Sequence, residues 1–269
     1  MIPKIIHYVW LGKKPKSKNI NNCIKSWQRL LIDYEIYEWN EDNIDINSHP
    51  YLKDAIEQKK YAFASDYIRI QVLKKYGGIY LDTDIIVFRP FDSLLNCGFF
   101  SAKEIFQNIF DPKTTLLDSE GHRINKSHTI PGFGVMAAVI GANATHPFLD
   151  EILHYYNSLK PREDGHYDFP IIDGILANLL ENHGWVYKDN EQRLDNDIII
   201  YPSNLFWSHK RLLIKDAYCY HACDNSWKNS PSNKLRTKLY IKRLSFKIIW
   251  DIQSIFNKIR YWRQNLYYN

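Results

Sequence analysis

At 269 residues, with 45% hydrophobic and 24% charged side chains and Gly and Pro scattered rather than clustered, the chain can bury one sizeable core and does not have the composition of a disordered protein. No window reaches the roughly 18 to 20 uninterrupted apolar residues of a membrane-spanning helix. The apolar opening to Trp10, broken by Lys4 and His7, lacks a small-residue cleavage site and is not expected to act as a secretion signal. The net charge of +5 is concentrated late: residues 234–269 carry nine Lys or Arg against one acid, Asp251.

β-branched and aromatic residues over 2–11 predict a buried first strand ended by Gly12, and Ser17 is placed to cap a helix carrying Ile20, Ile24, Trp27 and Leu31 on one face. A second strand is expected over 34–39, and then an Asn/Asp-rich loop. From Tyr61 the spacing is helical up to the Gly77-Gly78 pair, with Phe63, Tyr67, Ile70 and Leu73 on or near one face. Two short buried strands follow, over 79–81 and 85–88, with Asp82-Thr83-Asp84 between them. Further strands are expected over 99–102, 134–140 and 198–201, with helices over 147–158 and 171–182. The polar stretch 106–129 reads as a flap. Strands alternating with helices predict an α/β layered domain with a mostly parallel sheet. Domain boundaries follow as a catalytic domain over 1–230 and a basic tail over 231–269.

Asp82 and Asp84 carry the first chemical signal. In an extended segment, residues i and i+2 share a face, so both carboxylates can address one point. Such a pair repels itself unless a cation is present, and Mn2+ or Mg2+ prefers oxygen ligands of this kind. Burying both acids at a core strand end without a cation would cost several kcal/mol. Asp66 and Arg69 form a second constellation at i and i+3 of one helix. The neighbouring Ala62, Phe63 and Ala64 suggest a start packed on the sheet rather than a surface ion pair. Without an export signal, Cys23, Cys97, Cys219 and Cys223 are expected to be reduced thiols rather than a disulfide framework, and Cys219 and Cys223, which bracket His221, have no partner pair elsewhere to close a zinc site. His7 reads as a packed strand residue.

Ser65-Asp66-x-x-Arg69 followed by Tyr-Gly-Gly-Ile-Tyr-Leu-Asp-Thr-Asp at 76–84 resembles glycosyltransferase family 32. That family includes bacterial capsule and lipopolysaccharide glycosyltransferases and fungal initiating mannosyltransferases, and is more remotely similar to the glucosylating domains of clostridial toxins. The similarity extends over most of 2–228. It implies a GT-A fold, a divalent metal, a nucleotide-sugar donor, and transfer with retention of anomeric configuration. By the same resemblance Trp10 matches the aromatic that stacks on the donor base. Asp66 and Arg69 match the pair that holds ribose and sugar hydroxyls. Asp82 matches the acid near ribose and metal, and Asp84 the direct metal ligand. The segment from His221 to Trp227 resembles the part that closes over the diphosphate, with His221 or the Asn225 and Ser226 oxygens as third ligand and the Trp227 indole N–H on phosphate. Ala222 and Cys223 depart from the usual residues there. Pro131-Gly132-Phe133-Gly134 is similar to the strand entry near the donor sugar without its usual Asn. Asp173 falls at the acceptor side, as a contact for sugar hydroxyls rather than a nucleophile.

Beyond Leu235, Ile241, Leu244, Ile248, Ile252, Ile255, Ile259 and Trp262 recur at helical steps, flanked by Lys and Arg. Such a helix can lie on an anionic membrane surface through residues 234–263, or pack its stripe on the catalytic body with the charges in solvent. No recognised module surrounds the basic residues, so nucleic acid is not expected as a partner. The reading that results is a glycosyltransferase using a UDP-hexose and a glycan or lipid-linked oligosaccharide acceptor in capsule or O-antigen synthesis, cytoplasmic and peripheral on the inner face of the membrane. GDP-mannose remains open as donor. The competing readings are a metal-dependent phosphohydrolase and a non-catalytic glycan- or membrane-binding protein.

Overall fold

The computed structural model of the chain describes residues 1–106, 108–207 and 217–222. Its first half runs β1 (Ile5–Val9), α1 (Lys18–Leu30), β2 (Glu35–Trp39), α2 (Pro50–Glu57), α3 (Tyr61–Tyr76), β3 (Gly78–Leu81) and β4 (Ile85–Val87). Then come β5 (Phe99–Ile105), β6 (Phe133–Val135), β7 (Val139–Ala142), α4 (Pro147–Ser158), α5 (Ile172–Leu180), β8 (Gln192–Leu194), β9 (Ile198–Tyr201), β10 (Phe206–Trp207) and β11 (Cys219–His221). No helix among the described residues is long and apolar enough to cross a membrane.

The main sheet has the order β2-β1-β3-β7-β5-β9-β8, with β6 paired to β5. β2, β1, β3, β5 and β9 run one way and β7 and β8 the other. This is the α/β sheet flanked by helices that the GT-A expectation called for, mixed rather than purely parallel. From β1 the chain turns to β2 on one side, and by way of α2 and α3 it returns to β3 on the other. The β1–β3 boundary is therefore a topological switch point, where the carboxyl ends of parallel strands open a crevice.

Local chemistry explains the elements. Ser17 caps α1 by accepting from Ile20 N at 3.3 Å, and the helix buries Ile20, Cys23, Ser26 and Trp27. Trp27 Nε1 donates to Ile85 O at 2.8 Å and Ser26 Oγ accepts from Val87 N at 3.0 Å, which clamps β4 under α1. Helix α3 buries Ala64, Tyr67, Ile68, Ile70, Val72 and Leu73, leaving no polar stripe, as expected of a helix enclosed by neighbours. Packing against α2, α4 and β1 takes Asp66 and Arg69 out of solvent with it. Gly78 opens β3 at φ +105°, where an added Cβ would meet Ile5 O at 2.6 Å, so only glycine lets β3 lie this close to β1.

Three expectations need correction. The strand foreseen over 134–140 is two strands, β6 and β7, parted by Met136–Ala138, because these backbone groups bond elsewhere: Met136 N donates to Ala102 O at 2.8 Å and Asp82 N to Ala138 O at 2.9 Å. The stretch 106–129 is not a free flap. Arg123, 5% exposed, pairs with Glu181 and donates to the carbonyls of Lys126 and His128, tying the loop to the end of α5. Helix α2, capped by His49 and opened by Pro50, lies where the sequence suggested only loop. Cys23, Cys97 and Cys219 are buried and form no disulfide among the described residues, while Cys223 and the basic tail lie outside them.

Candidate active site

Asp82, Thr83 and Asp84 link β3 to β4 as a tight turn in which Ile85 N donates to Asp82 O at 3.0 Å. The sequence argument assumed an extended segment; the turn, not strand alternation, draws the two carboxylates together. A second small sheet of order β10-β11-β4 then brings in a distant residue. β11 runs antiparallel to β4 with His221 opposite Ile85, and Ala222 N donates to Asp84 O at 3.0 Å. His221 Nε2 consequently stands 3.3 Å from Asp84 Oδ1. One donor atom from each of Asp82, Asp84 and His221 lies within 4.8 Å of the others, and all three residues keep partial exposure.

Arg69 braces this cluster from α3. Its guanidinium contacts Asp66 Oδ1 at 2.6 Å and Asp82 Oδ1 at 3.4 Å, donates to Ala137 O at 2.6 Å and lies 4.4 Å over the Tyr80 ring. Tyr80 donates its hydroxyl to Asp82 Oδ1 at 2.9 Å. Burial pushes the Asp66 carboxyl up to about 7 against the pull of Arg69, with the charge of Asp82 adding to the rise. Ala137 also donates its own N–H to Asp173 Oδ1 at 3.0 Å, so the backbone of one residue links Arg69, through its carbonyl, to Asp173 in the first turn of α5. Gly134 of β6 permits this approach, since a Cβ there would meet Asp173 O at 2.8 Å. Burial first and the charge of Glu104 second hold Asp173 well above the usual carboxylate range, so its neutral form can donate as well as accept a hydrogen bond.

The structure thus brings together Asp66, Arg69, Asp82, Asp84, His221 and Asp173. Trp10 follows β1, and Asp82 follows β3, at the carboxyl ends on either side of the switch point. Its Nε1 donates to Lys14 O at 2.7 Å, and Lys16 Nζ sits 5.5 Å from the ring centroid. Ser226 and Trp227 lie outside the described residues. His7 is packed as expected: Nε2 meets Gly77 O at 2.8 Å, and Nδ1 accepts from Trp39 Nε1 at 3.1 Å.

Sequence reasoning missed Glu104, the Met136–Ala138 backbone and the Tyr80 hydroxyl. Glu104 had a signal, a charged pair with Lys103 inside the apolar run 99–106. Lys103 is fully buried, and its Nζ donates to Ile200 O at 3.0 Å and to Asn190 O. Glu104 instead faces His221, Oε1 to Nδ1 at 3.5 Å.

In chemical terms, Asp66 and Asp82 contact Arg69, Asp84 and Glu104 face His221, and Asp173 is influenced by Glu104, Asp66 and Arg69, which is the one arginine or lysine among the described residues in this set of contacts. So acidic a site is relieved by a cation, and two carboxylates with an imidazole form a donor set that fits a small divalent ion.

Residues 17–99, which contain Asp66, Arg69, Asp82 and Asp84, match the family model described as a glycosyltransferase sugar-binding region containing a DXD motif. An uncharacterized glycosyltransferase of Acanthamoeba polyphaga mimivirus is 25% identical over 238 residues, covering 84% of each chain. The inositol phosphoceramide mannosyltransferase 3 of Schizosaccharomyces pombe is 33% identical over 99 residues, 35% of this chain and 28% of that protein. Among solved structures, the PaToxG glycosyltransferase aligns over 57% of this chain and 59% of its own at 21% identity, with a TM-score of 0.41. The family match and the sequence relatives support glycosyltransferase activity for this chain, with the paired aspartates inside the matched region.

Proposed function

We propose that the chain transfers a hexose from a nucleotide sugar, a UDP-hexose, to a glycan acceptor, with Mn2+ or Mg2+ held by Asp82, Asp84 and His221. The observation that carries this reading is the convergence of those three donor groups beside Arg69 at the switch point of the sheet. A bound divalent ion would stabilise the negative charge that grows on a departing diphosphate. The imidazole favours Mn2+ over Mg2+, which prefers oxygen ligands alone.

The remaining groups have roles that follow from their chemistry. Arg69 is fixed by its contacts with Asp66, Asp82, Ala137, Ser65 and the Tyr80 ring and offers a preorganised guanidinium, while Asp66 beside it accepts from ribose and sugar hydroxyls. Trp10 supplies an aromatic face for the base. Asp173, held well above the usual carboxylate range by burial, suits a hydroxyl of the donor sugar or the acceptor. By the resemblance alone, Ser226 and Trp227 are assigned to the diphosphate. Retention of configuration, a lipid-linked acceptor, a place in capsule or O-antigen synthesis, and attachment of residues 234–263 to the inner face of the cytoplasmic membrane belong to the same proposal. They rest on the resemblance and on the basic amphipathic pattern of the tail.

Incubation with Mn2+ and a panel of nucleotide sugars, with and without acceptor glycans, tests the reading. Nucleotide release is expected with one UDP-hexose, lost on chelation with EDTA and reduced at least about a hundredfold in Asp84→Asn. No release with any donor, or full activity in Asp84→Asn, would refute it.

A further inference from the structure

Glu104 is a buried acid that the paired aspartates and the Asp66–Arg69 couple leave unexplained. It sits on β5, opposite Gly134 of β6, and is 3% exposed. Its Oε1 has no hydrogen-bond partner among the described residues, and Lys103 cannot neutralise it because that ammonium is engaged by two carbonyls and the Trp185 face. Asp173, its other titratable neighbour, is an acid as well and brings no positive charge. What does face Glu104 Oε1 is His221 Nδ1, at 3.5 Å, while the opposite ring nitrogen of His221 faces Asp84. The imidazole therefore lies between two carboxylates, one at each nitrogen.

A histidine can ligate a metal only through a nitrogen that carries a lone pair, and the proton then sits on the other nitrogen. Ligating histidines commonly donate that second N–H to a carboxylate, which fixes both tautomer and ring orientation. We propose that Glu104 is the positioning residue of this site: it accepts the Nδ1–H of His221 and so leaves Nε2 bare toward Asp82 and Asp84. The assignment rests on the metal reading above. The present 3.5 Å separation is longer than a formed hydrogen bond, and such contacts tighten when a site is filled.

The test uses the full chain, Mn2+ alone, and the variants Glu104→Met and Glu104→Gln. Methionine replaces a buried carboxylate by an apolar group of similar volume and preserves packing, whereas glutamine keeps an acceptor oxygen. Mn2+ uptake is followed by the electron paramagnetic resonance signal of the free ion. The His221 tautomer is read in the metal-free protein from two-bond 1H–15N couplings, assigned by the signal that His221→Gln removes. Glu104→Met is expected to weaken Mn2+ binding about ten- to a hundredfold and to mix the tautomers. Glu104→Gln should recover most of the affinity and the Nδ1–H form. Wild-type affinity with an unmoved tautomer in Glu104→Met would overturn the assignment alone. Failure of the wild-type chain to take up Mn2+ would overturn the metal reading and this assignment with it.

Discussion

His221 Nε2 lies 3.3 Å from Asp84 Oδ1 because β11 pairs with β4 so that His221 stands opposite Ile85, the residue that follows Asp84. The third donor of the cluster is thus set by a strand register rather than by a local motif. His221→Ala is expected to weaken Mn2+ binding about tenfold, while Asp84→Asn, which removes a charge, weakens it more. Calorimetric titration with Mn2+ checks the order; equal binding by His221→Ala and wild type would contradict it.

Arg69 answers for two carboxylates at once, and its side chain is almost wholly enclosed. Its removal strands Asp66 and Asp82 without their cation, so Arg69→Ala is expected to lose about 3–5 kcal/mol of stability. Arg69→Lys keeps the charge but not the planar fork, and falls between the two. Urea unfolding measures both variants; a loss below about 1 kcal/mol in Arg69→Ala would show that the contacts contribute little.

The pH dependence of stability has an identifiable source in His7. The Gly77 carbonyl takes the Nε2–H and Trp39 donates to Nδ1, so the ring is held neutral, and burial lowers its pKa to about 4. Above the unfolded value near 6.5 the group is neutral in both states and has no effect. As the pH falls below it, the unfolded chain binds a proton that the folded chain refuses, and stability drops until about 4. The total is roughly 3 kcal/mol. Melting temperatures recorded between pH 7 and 4 should fall less steeply in His7→Gln; parallel curves would remove His7 as the cause.

Trp10 is tied down through its indole N–H to Lys14 O, and the role of base platform proposed for it predicts a binding effect without a folding one. Trp10→Ala should weaken UDP affinity in the presence of Mn2+ by about tenfold, in line with the ~1–3 kcal/mol of an aromatic–base stack, and leave the melting temperature within a few degrees. Calorimetry against UDP decides it, and unaltered affinity would place the base elsewhere.

Much of this molecule was written locally. The β-branched run before Gly12, the cap at Ser17, the helix ending at Gly77-Gly78 and the apolar flanks of Asp82-Thr83-Asp84 each specify their element through contacts a few residues apart. The same short spacings marked Asp66, Arg69, Asp82 and Asp84, because a helix turn and a strand end fix side-chain direction within four residues. Other features depended on pairing between segments remote in sequence. Met136–Ala138 was expected to continue a strand, and its carbonyls and amides went instead to Ala102, Asp82, Arg69 and Asp173. Glu104 reads as an anomaly in an apolar run until β11 is laid across β4 and delivers His221 to it. Local chemistry therefore determined which elements form and where the acids gather. Which distant groups meet those acids was decided only by the tertiary structure, since sheet register and long-range hydrogen bonding depend on every strand being in place at once.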